Sequence, residues 1–168
     1  LPETDGWCVE FGALDGQYLS NSRNLIENWG YSAVLIEANR KFFKDLKKAY
    51  SSNDRVITIN QFVGFEEKDN LDSILRATGI PANFDVLSID IDGNDYHVWK
   101  AFSAHQPKIV IIEFNPTIPK SVAYVQVADR KVSKGSSLRA LVELGKAKGY
   151  ELVCVASVNA VFVDSKYF

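Results

Sequence analysis

The chain has 168 residues, of which 46% are hydrophobic and 24% charged, and its formal net charge is −2. This length and balance are typical of one globular domain with a hydrophobic core, and they exclude both a disordered tail and a generally basic nucleic-acid-binding surface. No apolar run approaches the roughly 18 residues of a membrane span and no signal peptide is recognisable, so we expect a cytoplasmic protein without a nucleic-acid or membrane partner.

Predicted strands and helices alternate along the chain. Short apolar runs predict the strands, and apolar residues at helical spacing, preceded by Ser, Asn or Asp caps, predict the helices between them. The predicted strands cover residues 9–11, 33–37, 55–60, 85–92, 108–113, 151–156 and 160–163, and the predicted helices contain residues 25–29, 40–50, 71–75, 96–102 and 138–147.

Such alternation predicts an α/β fold with a mostly parallel, doubly wound sheet. Only residues 157–159 separate the last two strands, which favours an antiparallel hairpin. Residues 115–135 contain two prolines and have no clear period, so we interpret them as a functional loop. We expect Tyr124, Gln126 and Arg130 in this loop to shape an acceptor pocket.

The cysteines and large aromatic residues are predicted to be buried. Cys8 and Cys154 lie in apolar runs that belong to distant strands, so we expect buried free thiols and neither a disulfide nor a metal site. Helical spacing predicts that Trp29, Tyr96 and Trp99 face the core.

The turn after the first strand is the most informative motif. Gly12 and Gly16 allow a close backbone approach to a ligand, and Glu37 ends the second strand, where a carboxylate can accept hydrogen bonds from both hydroxyls of a ribose. These residues predict a site for an adenosine-containing cofactor. The alternative is that the two glycines only make a tight turn.

The same turn argues against a dinucleotide. No G-x-G-x-x-G pattern passes through it, and Asp15 would repel a pyrophosphate. Asp15 instead favours a cofactor with a positive centre, such as S-adenosylmethionine. Tyr18 and Phe62 lie near the predicted cofactor turns, and we expect them to stack on the cofactor.

Acidic and amide residues follow the fourth and fifth strands. Carboxylates that converge at this edge repel each other unless a cation or a proton lies between them, and an oxygen-only ligand set suits Mg²⁺. Asp92 is the first candidate for handling the acceptor's proton and His97 the second. The alternative is that the acidic residues cap the next helix. The tentative metal ligands are Asp90, Asp92, Glu113 and Asn115.

These motifs together resemble the FkbM group of class I S-adenosylmethionine-dependent methyltransferases, over residues 7–162. The resemblance implies a seven-stranded Rossmann-like sheet with helices on both faces, an antiparallel last strand, and methyl transfer to oxygen. The motifs that carry it are Val9-Glu10-Phe11-Gly12-Ala13-Leu14-Asp15-Gly16, Leu35-Ile36-Glu37-Ala38-Asn39, Leu87-Ser88-Ile89-Asp90-Ile91-Asp92-Gly93-Asn94-Asp95-Tyr96 and Ile112-Glu113-Phe114-Asn115-Pro116.

The resemblance also implies roles for individual residues. Glu37 would bind the ribose hydroxyls, and Asp90 would close the methionine side of the cofactor. The residues implied at the methionine and ribose end are Glu10, Gly12 and Asp15, and those implied at the adenine are Asn60, Gln61 and Val63. The chain departs from the usual class I pattern because Ala13-Leu14-Asp15 intervenes where a third glycine stands.

We therefore expect an O-methyltransferase that acts on a small polyhydroxylated acceptor, such as a sugar. The alternatives are a non-catalytic cofactor-binding module of a larger protein and, less favoured, an NAD-dependent oxidoreductase. The chain contains no methionine, so we expect residues 1–168 to be a single methyltransferase domain within a longer protein. The oligomeric state does not follow from the sequence.

Overall fold

The computed structural model describes residues 3–168. No helix in this range is both long enough and apolar enough to cross a lipid bilayer. The elements are β1 (Trp7–Phe11), α1 (Arg23–Trp29), β2 (Ser32–Ile36), α2 (Arg40–Ala49), β3 (Val56–Ile59), α3 (Leu71–Leu75), β4 (Val86–Ile89), α4 (Asp95–Ala101), β5 (Ile109–Glu113), α5 (Leu138–Ala147), β6 (Tyr150–Ala156), β7 (Asn159–Asp164) and a terminal 3-10 helix (Ser165–Tyr167).

The seven strands form one sheet in the order β3-β2-β1-β4-β5-β7-β6. Strands β1 to β5 are parallel, and β7 runs antiparallel to both of its neighbours. The predicted Rossmann-like fold is therefore confirmed, including the antiparallel hairpin. The order in which the strands are added to the sheet changes direction between β1 and β4. The carboxyl ends of these two parallel strands form the crevice where α/β proteins bind ligands.

Both faces of the sheet are covered by helices. On one face Ile26 of α1 and Leu46 of α2 pack in one apolar cluster, and on the other Leu71 of α3, Trp99 of α4 and Leu141 of α5 pack in the larger cluster. The sheet is thus buried on both sides, which explains why its central strands are almost wholly apolar.

A buried ion pair lies at the amino edge of the sheet, opposite the crevice. Lys108 Nζ lies 2.5 Å from Asp85 Oδ1, and the two residues are 4% and 0% exposed. Asp85 also accepts hydrogen bonds from the main-chain N–H groups of Asp5 and Gly6. This pair ties the segment before β1 to the starts of β4 and β5.

Two burial predictions are wrong. Trp29 is 72% exposed, because it is the last residue of a two-turn helix that Gly30 ends. Cys154 is exposed because β6 is the edge strand of the sheet, although Cys8 is buried and both thiols are free as predicted. Trp99 is fully buried as expected, whereas Tyr96 is only partly buried.

The fourth strand is shorter than its apolar sequence indicates. It ends at Ile89, and Asp92 adopts a left-handed backbone with φ 55°. The polar residues of the motif therefore lie in a turn between β4 and α4, where their side chains can point in different directions.

Candidate functional site

The ends of β1 and β4 approach each other closely at Gly12. This residue has φ 74°, and a Cβ atom on it would lie 1.6 Å from the carbonyl oxygen of Asp90. The sequence predicts that the glycine makes room for a ligand, but the structure places a neighbouring main chain there. A Cβ on Gly16 would meet the side chains of Leu46 and Tyr50 at 2.6 Å. The two glycines therefore shape the turn through packing within the protein.

A cavity of about 510 Å³ opens at this edge of the sheet. Its volume lies within the range of small-molecule sites. Five of the predicted cofactor-binding residues line it, namely Glu10, Gly12, Glu37, Gln61 and Asp90. Two others, Asp15 and Asn60, are not among its lining residues.

Glu37 follows β2 and is 5% exposed. One carboxylate oxygen accepts a hydrogen bond from the N–H of Leu14 at 2.9 Å, and the other accepts one from the N–H of Asn39 at 2.6 Å. These bonds hold the carboxylate in the wall of the cavity. Each oxygen has a second lone pair, which a ribose hydroxyl can use.

Glu10 has a structural role in addition to its place in the cavity wall. Its carboxylate accepts hydrogen bonds from the hydroxyls of Ser20 and Ser22 at 2.5 and 2.6 Å, and from the N–H of Asn21 at 2.8 Å. The acid therefore holds the segment before α1 against the sheet. The sequence did not indicate this use of Glu10.

Asp15 and Asn60 form local contacts. Asp15 accepts hydrogen bonds from the N–H groups of Gln17 and Tyr18, and hydrogen bonds from Tyr18 and Gln17 lower its pKa. The amide of Asn60 donates to the carbonyl of Glu37 at 2.7 Å. Both side chains thus organise the loops around the cavity.

Exposed apolar side chains surround the mouth of the cavity. Tyr18 and Phe62, predicted to stack on the cofactor, both line it and are 67% and 41% exposed. Sequence reasoning missed Leu19 and Phe42, which also line it and are 75% and 38% exposed. Leu19 adopts φ 56°, an uncommon backbone conformation that no sequence pattern signals.

Three carboxylates converge between β4 and β5. Asp90, Asp92 and Glu113 each offer an oxygen within 4.8 Å of the others. Asp90 and Glu113 each raise the energetic cost of ionising the cluster, because their negative charges lie close together in a partly buried site. Burial first, and the neighbouring carboxylates second, raise the pKa of Asp90 to about 6 and that of Glu113 to about 7. The predicted convergence of these acids is thus present in the structure.

The other polar residues of the motif make contacts within the protein. Asp95 is 3% exposed, and its carboxylate accepts hydrogen bonds from the N–H groups of Ile91 and Gly93. His97 does not line the larger cavity, and its Nε2 lies 2.7 Å from the carbonyl oxygen of Gln126. Asp95 therefore stabilises the turn before α4. The alternative that the acidic residues cap this helix does not describe these bonds, because both donors precede the helix.

A smaller cavity of about 140 Å³ lies beside the three carboxylates. Asp92 and Glu113 line both this cavity and the larger one. Its other walls include Asn115, Ser133 and Lys134. The Oδ1 atom of Asn115 already accepts hydrogen bonds from the N–H and hydroxyl groups of Thr117, so this predicted metal ligand is engaged with its own loop.

The sequence of residues 61–152 matches the family described as "Methyltransferase FkbM domain". This match covers more than half of the chain. The chain belongs to the FkbM methyltransferase family. The predicted resemblance to the FkbM methyltransferases is therefore confirmed.

Solved structures share the fold of this FkbM domain at low sequence identity. A provisionally named sarcosine dimethylglycine methyltransferase from Galdieria sulphuraria has a TM-score of 0.57 at 14% identity, covering 90% of this chain and 57% of its own. The N-terminal domain of EvdMO1, crystallised in the presence of SAH and D-fucose, has a TM-score of 0.57 at 13% identity, covering 94% and 75%. The glycopeptide N-methyltransferase MtfA, complexed with S-adenosylmethionine, has a TM-score of 0.50 at 11% identity, covering 95% and 80%.

These likenesses establish the fold alone. The FkbM domain spans little more than half the length of the first of these proteins, at 57%. No curated protein matches the chain.

Proposed function

We propose that this FkbM domain transfers a methyl group from S-adenosylmethionine to a hydroxyl of a small polyhydroxylated acceptor. The observation that carries the proposal is that Asp92 and Glu113 line both cavities. A donor in the larger cavity and an acceptor in the smaller one would meet at these carboxylates. In this proposal residues 1–168 act as one methyltransferase domain.

The larger cavity suits the cofactor in size and in the chemistry of its walls. Glu37 offers two oriented acceptors for the ribose hydroxyls, and Gln61 and Phe62 supply a polar edge and an aromatic face for the adenine. Bound there, S-adenosylmethionine would supply a methyl group on a positively charged sulfur. Glu10 and Asp90 add negative charge to the same wall.

The smaller cavity suits a polar acceptor. Its walls offer hydrogen-bond acceptors from Asp92 and donors from Ser133 and Lys134, which is the mixed set that several hydroxyl groups require. Its volume of about 140 Å³ favours a small ring or branch over a large planar molecule. The crystallisation of the EvdMO1 domain with D-fucose supports the choice of a monosaccharide as the first probe.

The Asp90–Glu113 pair is our candidate for accepting the hydroxyl proton. As the new carbon–oxygen bond forms and the carbon–sulfur bond breaks, the proton passes to this pair and SAH remains. A carboxylate with a pKa of about 7 is a stronger base than an ordinary glutamate, and its pKa lies near the working pH. Asp92 would orient the hydroxyl, and His97, which contacts Gln126, is not needed for this step.

Mg²⁺ is the second candidate for neutralising the cluster. Three carboxylates fit a hard divalent cation by donor type and by their mutual distances within 4.8 Å. Asp90, Asp92 and Glu113 would hold the ion, which would lower the pKa of the acceptor hydroxyl. The contacts of Asn115 with Thr117 do not favour it as a fourth ligand.

Calorimetric titration with SAH, with NAD as the comparison ligand, tests the cofactor site. We expect SAH alone to bind, and Glu37→Gln to weaken its binding by about 1–3 kcal/mol because one charged acceptor is lost. Glu151→Gln, at an exposed position on β6, is the matched control. Equal affinity of the Glu37 variant and the wild type would contradict the assigned ribose site.

Turnover with labelled S-adenosylmethionine tests the acceptor. We expect D-fucose or a related monosaccharide to be methylated on oxygen, and Asp92→Asn to lose turnover while keeping SAH affinity. Methylation that survives EDTA favours proton uptake by Asp90 and Glu113, and methylation restored only by Mg²⁺ favours the metal. Exclusive methylation of amines in the same panel would contradict the proposed hydroxyl acceptor.

A further inference from the structure

Residues 126–135 connect the two cavities, and we call this segment the strap. Its end at residues 133–135 lines the smaller cavity. Its middle reaches Phe62, which lines the larger cavity. The strap has no helix or strand, so side-chain contacts determine its position.

Gln126 anchors the strap from inside the protein. The residue is 1% exposed. Its Nε2 donates to Asn94 Oδ1 at 3.1 Å and to the carbonyl of Val132 at 3.0 Å. Its Oε1 accepts from the N–H groups of Lys134 and Gly135 at 2.9 and 2.8 Å. All four hydrogen-bonding positions of the amide are used, and two of the four partners, Lys134 and Gly135, line the smaller cavity.

Arg130 connects the strap to Phe62 in the wall of the larger cavity. Its guanidinium carbon lies 4.8 Å from the centre of the Phe62 ring, within the range of a cation–π interaction. The same guanidinium pairs with Asp69, whose other carboxylate oxygen accepts from the N–H of Glu66. Phe62 remains 41% exposed, so part of its surface is available to a planar ligand.

We propose that the strap couples the two cavities, with Arg130 as a positioning residue. Cofactor binding in the larger cavity would restrain the part of the strap that lines the smaller cavity. This inference rests on the proposed cofactor site. An adenine that packs on Phe62 favours the ring orientation that Arg130 contacts, and a more firmly held Arg130 restrains the strap up to Lys134 and Gly135. The coupling is reciprocal, so a bound acceptor would also strengthen cofactor binding.

Hydrogen exchange of the strap amides tests the coupling without knowledge of the acceptor. The N–H groups of Lys134 and Gly135 are the reporters because both donate to Gln126. In the wild type we expect saturating SAH to slow their exchange by at least about fivefold, the lower end of typical coupling between sites. Titration of the same sample with SAH measures cofactor binding independently.

Variants separate the coupling from binding itself. Arg130→Ala should bind SAH but lose the SAH-dependent slowing, whereas the control Arg139→Ala, in an exposed pair with Glu143, should retain it. Gln126→Leu should speed exchange at both reporters even without SAH, because leucine cannot accept hydrogen bonds from the N–H groups of Lys134 and Gly135.

The outcomes distinguish this proposal from the proposed function. SAH binding without slowed exchange in the wild type, or full slowing in Arg130→Ala, would overturn the coupling alone. Absence of SAH binding by the wild type would overturn the cofactor site and the coupling with it.

Discussion

At the scale of single residues, Gly12 is the most constrained position at the carboxyl edge. We expect Gly12→Ala to lower the free energy of unfolding by more than about 3 kcal/mol, because its Cβ would overlap the Asp90 carbonyl and its φ is 74°. Gly30→Ala is the control, since Gly30 has a similar φ of 71° but nothing within 4 Å of the added Cβ. It should cost only about 1–2 kcal/mol. Urea unfolding measures both, and equal losses would show that the Asp90 contact is unimportant.

Glu113 gives the molecule a stability that depends on pH. Its pKa of about 7 in the folded protein lies above its ordinary value of 4.5, so the folded state binds the proton more tightly than the unfolded state. The resulting stability is fully present below about pH 4.5 and is lost as the pH rises through 7.

Glu113→Gln removes this titration and should therefore stabilise the protein at pH 8. We expect about 1 kcal/mol after allowance for partial solvent screening, seen as a rise in Tm of roughly 2–4 °C. At pH 4 the variant and the wild type should unfold at similar temperatures. A Tm difference of the same size at both pH values would contradict the assigned pKa.

The sequence predicts those residues of the candidate site that lie at the ends of strands. Asp90 and Glu113 lie at or just after the ends of adjacent parallel strands, and topology alone brings such residues together. The close approach of their carboxylates, and the hydrogen bonds that Ser20 and Ser22 donate to Glu10, depend on side-chain orientations that a sequence does not encode locally. The sequence predicts that Gln126 shapes an acceptor pocket but does not predict its burial, which arises from contacts with Asn94 and Val132.

At the scale of elements, the cap of α5 joins a helix to the long loop. Ser137 is fully buried, and its Oγ accepts hydrogen bonds from the N–H of Ala140 at 3.2 Å and from that of Tyr124 at 2.9 Å. The cap at Asn70 of α3 accepts only from Ser73, at 2.9 Å. The Ser137 cap therefore satisfies one helix donor and one loop donor.

Ser137→Ala should cost about 2 kcal/mol of unfolding free energy, and Asn70→Ala about 1 kcal/mol, because the first leaves two donors unpaired and the second leaves one. Thermal unfolding of the two variants measures the difference. If Ser137→Ala were the milder substitution, the hydrogen bond to Tyr124 would not contribute to stability.

Most elements were predicted because local patterns specify them. The predicted type of cap is present at three helices, where the side chains of Asn39, Asn70 and Ser137 accept hydrogen bonds, whereas Ser22 before α1 forms no such bond. The burial predictions are wrong where the exposure of a residue depends on which neighbouring element packs against it. Seven residues of α1 are too few to define which face is buried, and whether Cys154 is covered depends on β6 being at the edge of the sheet.

At the scale of the whole molecule, stability and function lie at opposite edges of the sheet. We expect Lys108→Met to destabilise the fold by about 3–5 kcal/mol, because Asp85 would remain as a buried charge without its partner. SAH affinity of the folded variant should not change, because the cavities lie at the other edge.

Lys166→Met is the control for this change. Lys166 forms a similar pair with Asp164 at 3.2 Å, but its side chain is 49% exposed, so its loss should cost less than about 1 kcal/mol. Chemical denaturation and SAH titration of both variants provide the comparison. A weakened SAH affinity in Lys108→Met would mean that the two edges are not independent.

The strand order also bears on how the protein is made. Strand β5 has its final neighbour in β7, which is synthesised some 46 residues later, after the long loop, α5 and β6. Until the ribosome has delivered residues 159–164, the apolar β5 presents an unpaired main-chain edge of the kind that recruits other nascent chains. We therefore expect slow translation between β5 and β7 to reduce the yield of folded protein, and chaperones that shield strand edges to matter most during that interval.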